Sequence, residues 1–390
     1  MEFNFEKSFQ IFLTPMKLMR THPKIDKNFK WFIQYCFFHL PFTIHYIIIT
    51  YNSYLNAKNN NFSAACKNGI ISLTFLGIWL NNMIMLWHKD AMNRLLDLMA
   101  EDYKMAAKLS KEEQEIFKRY DLKKTLVCKV WLVVYIISFL LFCVKAIVMM
   151  VYYLLIGEPR LVHLYDLVYP DVIERRKGEF FMFILITVFI FSYGLYAGLV
   201  YMSFLPCGPV FMLHACGHLE MVKRRTEILF DGDEEDINER LREIVLILQY
   251  TYKFVGIVND CFKVFYEATL KLSAVSLPVT FYSLLEGLQR GLLSLEFASF
   301  ILSGMALSSA PCYFSDMLMA KGEEVRLALY SCGWECEYNR RVRITILLLL
   351  TRCSRPIAVQ TMFTTLCLDR LTDMFQQAYT IFNLMNAVWS

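Results

Sequence analysis

The chain has 390 residues, 56% of them hydrophobic, with 32 Phe and 22 Tyr. Soluble domains run nearer about 45–50% apolar, so this composition points to a membrane protein rather than a soluble domain. The net charge of +4 is too small to argue for a nucleic-acid partner, and where the charges fall matters more than their sum.

In chain order, residues 1–30 carry Lys7, Lys17, Arg20, Lys24, Lys27 and Lys30, and the first long apolar run starts at Trp31. This reads as an uncleaved first span preceded by a cytoplasmic segment with room for a re-entrant helix. A span needs about 20 largely apolar residues. Segments 31–55, 69–88, 126–156, 179–206, 265–288 and 292–315 satisfy that requirement. A seventh is broken: ITILLLL (344–350) is too short to cross, and Pro356 interrupts the run. Helices rarely continue through the residue before a proline, so one helix is expected near 341–353 and a separate crossing helix near 361–388. The expected fold is therefore an all-α membrane protein of seven transmembrane helices, the seventh split into a cytoplasmic part and a membrane-crossing part. It divides into 1–30, spans one to four over 31–206, 207–353 with a cytoplasmic loop, spans five and six and cytoplasmic helices, and the last helix over 354–390.

Charge fixes the orientation. The segments on the N-terminal side of the membrane hold 26 Lys or Arg, against 7 on the other side. The positive-inside rule then puts the N-terminus in the cytoplasm and the C-terminus outside. A G-protein-coupled receptor has the reverse orientation, and neither its acidic-Arg-Tyr triplet nor its Asn-Pro-x-x-Tyr motif occurs here. Asn61-Phe62-Ser63 is a glycosylation sequon in the first outer loop, which agrees with this orientation. The charged run DGDEEDINERLREI (231–244) opens a helix that continues into the fifth span and should project well below the membrane.

Several features read as structural. Cys36, Cys128, Cys143, Cys261 and Cys367 lie in or beside apolar runs, and Cys332 and Cys336 are spaced CxxxC, so most of the twelve cysteines are expected to be reduced. Lys145 sits in the middle of the third span and is expected to pair with a neighbouring helix, or else to meet a ligand. HACGH (214–218) sets two histidines one helical turn apart, but no third ligand is evident in the sequence and no metal is expected. Gly194 and Gly198 form a small face for close helix packing, and Pro278 and Pro311 fall inside spans. No catalytic constellation falls on one face, and no pair of interrupted spans marks a transporter; neither an enzyme nor a cofactor is expected.

The last helix carries a stripe. Asp369, Asp373, Gln376, Thr380, Asn383 and Ala387 follow one another by three or four residues, with Leu384 and Val388 beside them towards the outer end. Polar groups at that depth must face protein or water. Two readings stay open on pattern alone: a helix interface held by amide hydrogen bonds, or a pore wall built from several copies.

Residues 322–388 (GEEVRLALYSCGWECEYNRRVRITILLLLTRCSRPIAVQTMFTTLCLDRLTDMFQQAYTIFNLMNAV) resemble the tail of the insect odorant receptor family. The matching positions are Val325, Ala328, Tyr330, Trp334, Arg343, Pro356, Phe363, Leu366, Leu368, Tyr379, Phe382 and Leu384. Ala378 stands where the family usually has Ser, and Gln376 replaces a frequent Lys. The Thr-Tyr…Gln-Phe signature of the sibling gustatory receptors is missing. The resemblance implies a subunit of a ligand-gated, non-selective cation channel at the plasma membrane of olfactory sensory neurons, surrounded by membrane lipid. It further implies a heterotetramer with odorant co-receptor subunits around a pore lined by the last helix. By the same resemblance, 31–206 would hold the ligand-binding part, the cytoplasmic helices of 207–353 an anchor role and 354–390 a pore-lining role. Leu384 matches the gate, Val388 lies one turn further out, and Asn383, Thr380, Gln377 and Gln376 would line the conduit. The compact 207–256 segment implies an odour-tuning subunit rather than the longer co-receptor. A small volatile ligand would bind an apolar pocket among spans two to five in their outer halves, where this chain offers Phe75, Val144, Ile147, Val148, Val151, Tyr152, Phe183, Thr187, Phe191 and Tyr282.

Overall fold

The computed structural model describes residues 4–231, 236–289 and 295–389, without the side chains of Val388 and Trp389. Its elements are helices, and local capping chemistry sets many of their boundaries. After α1 (Phe5–Ser8) and α2 (Gln10–Leu18), Asn28 accepts the Trp31 amide at 2.8 Å and opens α3 (Phe29–Lys58). Asn61 likewise accepts the Ala64 amide at 3.3 Å and opens α4 (Phe62–Trp87), which is followed by α5 (Lys89–Met105). Ser110 and Glu113 form a reciprocal capping box at the start of α6 (Lys111–Leu155). Then come α7 (Asp171–Glu174), α8 (Phe180–Phe204), α9 (Cys207–Glu227), α10 (Ile237–Gln289), α11 (Leu295–Ser331), α12 (Arg340–Cys353) and α13 (Leu368–Trp389).

Among the described residues, six helical tracts are long and apolar enough to cross a membrane: α3, α4, α6, the Phe180–Glu227 tract, α10 and α11. The seventh crossing, α13, has 22 residues, enough for the length, but its stripe of amides keeps it off a purely apolar criterion. The break before it is longer than the sequence suggests. Thr361 Oγ1 accepts the amides of Phe363 and Thr364, and Gln360 bridges Thr365 in an antiparallel pair. This tight turn uses up residues that Pro356 alone would have left for helix, so α13 begins at Leu368.

With 53 residues, α10 spans about 80 Å, more than twice the bilayer core. Its charge-rich half, with the matching parts of α5, α6 and α11, encloses α9, and the largest apolar core lies there rather than between the membrane-level helices. Phe204, Phe211, Phe254 and Phe262 fill it. From below, Phe9 packs on the Tyr103 ring of α5, and α2, with Phe12 and Met16 fully buried, lies against α8. The N-terminal segment is thus a plug beneath the bundle.

At the opposite end the 157–179 connection folds inward. Tyr165, Leu167 and Tyr169 pack with Ile49, Ile70, Ile186 and Phe297. Asn68 both donates to the Val168 carbonyl at 2.7 Å and accepts the Val168 amide at 3.0 Å, and the Tyr165 hydroxyl donates to the Lys67 carbonyl at 2.8 Å. All twelve cysteines are unpaired. Gly194 and Gly198 lie under the rings of Phe139 and Tyr135, where a Cβ on Gly198 would come within 2.0 Å of the tyrosine ring. Lys145 finds its partner in Glu296 of α11, an ion pair between the third and sixth spans.

Asn61 is exposed at the outer start of α4. If the sequon is used, enzymatic deglycosylation will speed the gel migration of the native chain and leave Ser63→Ala unchanged. That variant removes the sequon while keeping the Asn61 cap.

Candidate functional site: a ligand cavity and a conduit helix

The membrane-level helices enclose a cavity of about 290 Å³, at the small end of ligand sites. Its wall is mostly apolar and aromatic, drawn from α4, α6, α8, α10 and α11: Ile70, Tyr135, Phe139, Phe191, Tyr193 and Phe300 are representative. Helix packing explains its position. The two glycines of α8 let the α6 aromatics approach closely on one side, and the Tyr135 hydroxyl is occupied by the Gly194 carbonyl at 3.2 Å.

The polar groups in this wall divide into satisfied and orphaned ones. Ser138 Oγ and Ser303 Oγ lie 3.1 Å apart and hold α6 to α11. The Tyr201 hydroxyl donates to the Thr74 carbonyl at 3.0 Å. By contrast, both polar atoms of the Asn81 amide and the Tyr193 hydroxyl are buried without a partner among the described residues. An unsatisfied buried amide costs about 1–3 kcal/mol, so these groups favour a guest that can hydrogen-bond them.

The residues expected from the sequence are distributed unevenly around this cavity. Phe191 is in its wall. Phe75 is buried beside it, with its ring 6.0 Å from that of Tyr193. Val144, Ile147, Val148, Val151 and Tyr152 are exposed on the outward side of α6, in the position of lipid-facing groups. Phe183 packs on His163 nearer the outer end, while Thr187 and Tyr282 are half-buried. On α6 the cavity wall runs from Trp131 to Cys143 and stops just short of Val144. It also draws on α11, which the expectation left out. Asn81, Ser138 and Ser303 went unnoticed, although polar residues inside apolar spans are themselves a signal.

The last helix is two-sided. Met374 is buried against Ala274 and Leu277 of α10 and Ile301 of α11, and Ala378, one turn on, is buried as well. On its other side, Asp373, Gln376, Gln377 and Thr380 share a shallow concavity with Ile381, and Asn383 and Leu384 are exposed. The side chain of Val388 lies outside the described residues. Asp373 pairs with Arg370 at 3.0 Å, and the Thr380 hydroxyl donates to the Gln376 carbonyl at 2.9 Å, leaving the amide groups of the glutamines facing outward.

The sequence model of the family described as 7tm Odorant receptor matches residues 61–379. The chain belongs to this odorant receptor family. Among curated relatives, putative odorant receptor 19b and odorant receptor 19a of Drosophila melanogaster are each 32% identical over 78 residues. Each match covers 20% of this odorant receptor and spans only 20% of the relative's own length. Among solved structures, the insect olfactory receptor OR5 from Machilis hrabei in complex with eugenol superposes with a TM-score of 0.78 at 14% identity, covering 98% of this receptor and 100% of that chain. The same olfactory receptor described without that ligand gives 0.76 at 15% identity, over 96% and 97%. At such low identity the likeness is one of fold. The fold is thus that of a multi-pass, all-helical membrane protein.

Proposed function

We propose that this odorant receptor is an odour-tuning subunit of a ligand-gated, non-selective cation channel. A small volatile held in the mid-membrane cavity opens a pore lined by α13 of several subunits. The two-sidedness of α13 carries this reading. One face is committed to α10 and α11 of its own chain, while the other presents Gln376, Gln377, Thr380 and Asn383 to its surroundings. Hydrocarbon cannot satisfy those groups, and one helix cannot enclose water, so other subunits complete the wall. Leu384 is the gate, a hydrophobic ring that closes by dewetting, with Val388 one turn outward. The compact 207–256 segment supports a tuning subunit that assembles with co-receptor subunits in a heterotetramer. Its site of action is then the plasma membrane of olfactory sensory neurons. Eugenol, named with the Machilis hrabei receptor, is a small phenol, which supports an oxygenated volatile as the ligand class. Opening requires that ligand to bind the open state better than the closed one.

Whole-cell current from cells expressing the chain with and without an insect odorant co-receptor tests this. Odour-evoked inward current is expected only with the co-receptor, and Leu384→Ala should add a standing current without odour. Surface-labelled receptor that raises second messengers but passes no current would overturn the channel reading in favour of G-protein signalling.

A further inference from the structure

In the core below the membrane-level helices, three side chains with metal-ligating atoms meet. Asp102 lies near the end of α5, and His214 and His218 lie one turn apart on α9. Asp102 Oδ2 is 2.8 Å from His214 Nε2 and 3.2 Å from His218 Nε2, and the two Nε2 atoms are 3.2 Å apart. Donor atoms held at about 2.0–2.2 Å by one first-row divalent ion stand about 3.0–3.4 Å apart on a face of its coordination shell. The triangle here needs little adjustment to match that face.

Hydrogen-bond accounting points the same way. The Tyr250 hydroxyl also reaches Asp102 Oδ2, at 2.6 Å, so three groups converge on one oxygen. Each neutral imidazole has one N–H. If both Nε2 atoms carry it towards Asp102, the two N–H groups oppose each other across 3.2 Å. A cation at the centre replaces that opposition with three bonds. Burial by itself would raise the Asp102 carboxyl, but the bonds from His214 and His218 more than offset this and hold it well below the usual carboxylate range.

We infer that Asp102, His214 and His218 form a site for one first-row divalent transition ion such as Zn²⁺, with a remaining position open to water. Two imidazoles and one carboxylate favour such an ion over Mg²⁺ or Ca²⁺, which take oxygen ligands. Tyr250 orients the carboxylate, as outer hydrogen bonds commonly do at metal sites. The side chains are 2% exposed for His214, 10% for His218 and 21% for Asp102, so the ion reaches the site from the Asp102 side. Bound there, it ties α5 to α9 and, through Tyr250, to α10. The contact that opposes an ion is Lys124, whose Nζ lies 3.4 Å from His214 Nδ1. Metal on Nε2 places the ring proton on Nδ1, facing that ammonium. Lys124→Gln offers an acceptor there instead, and should tighten binding about tenfold. The site is separate from both the cavity and the conduit, and does not depend on the proposed function.

The test uses full-length receptor in lipid nanodiscs, carried on a tag without histidines, stripped with chelator, then titrated with Zn²⁺ or with Co²⁺ as a coloured substitute. One ion per chain, visible d–d absorption with Co²⁺ but no thiolate charge-transfer band, and a raised thermal midpoint are expected. His218→Ala should lose all three, and so should Asp102→Asn, which keeps the shape of the carboxylate. Equal Co²⁺ absorption in either variant overturns the inference. So does the failure of the native receptor to retain an ion while it still shows a cooperative thermal transition, a result that needs no variant at all.

Discussion

Lys145→Met alone should strip most of the receptor from the cell surface, and adding Glu296→Gln should bring much of it back. The two side chains form an ion pair between α6 and α11, with Glu296 only 7% and Lys145 21% exposed. Methionine keeps the reach of lysine without its charge, so the single variant leaves Glu296 facing an apolar neighbour. The Glu296 Oε2 atom already lacks a partner among the described residues, so nothing nearby takes over. Removing one member of a buried pair costs about 3–5 kcal/mol. Against a total stability of about 5–15 kcal/mol, that is enough to fail quality control. The double variant removes both charges and leaves a neutral amide. Surface biotinylation of the four proteins of the cycle reads the result, and equal labelling of native and single variant would mean that water reaches the pair.

On the proposed function the cavity favours oxygenated volatiles over hydrocarbons of the same shape, and Asn81→Leu should erase that preference. Asn81 is 1% exposed, lines the cavity, and has neither its donor nor its acceptor occupied. A ligand oxygen that satisfies it gains about 1–3 kcal/mol over an apolar isostere, which amounts to about 5- to 150-fold in half-maximal concentration. Leucine keeps the branched shape and the number of heavy atoms, is somewhat bulkier, and has nothing to satisfy. The ratio should then approach one, with the hydrocarbon response kept or improved. Dose–response curves for matched pairs measure it, and an unchanged ratio would move recognition to the Tyr193 hydroxyl.

Much of the architecture was legible because membrane spans announce themselves by length. The first span expected at 31–55 is α3 (Phe29–Lys58), and the break at Pro356 separates α12 from α13. The stripe on α13 was legible too, since amides every three or four residues stand out in an apolar helix. The cavity wall was not. Around Val144 and Ile147, α6 is apolar on every side but that of Lys145, so its periodicity cannot distinguish lipid from a cavity; only contacts with α8 and α11 do. Lys145 shows the same limit in a milder form: the sequence asked for a partner, but Glu296 lies 151 residues away. The HACGH pair was visible as well, while Asp102 comes from 112 residues upstream on another helix. Pairings of that kind are properties of the fold, and no local pattern carries them.

The buried helix α9 has a kinetic consequence. From Cys207 to Leu219 every residue is buried, so this helix has no wet side from which to fray. Its amide hydrogens can trade for deuterium only when the surrounding helices separate together, which is the opening of the whole molecule. Exchange at α9 is therefore a clock for global unfolding. As long as those amides hold their protons, the receptor is intact, whatever its outer helices are doing.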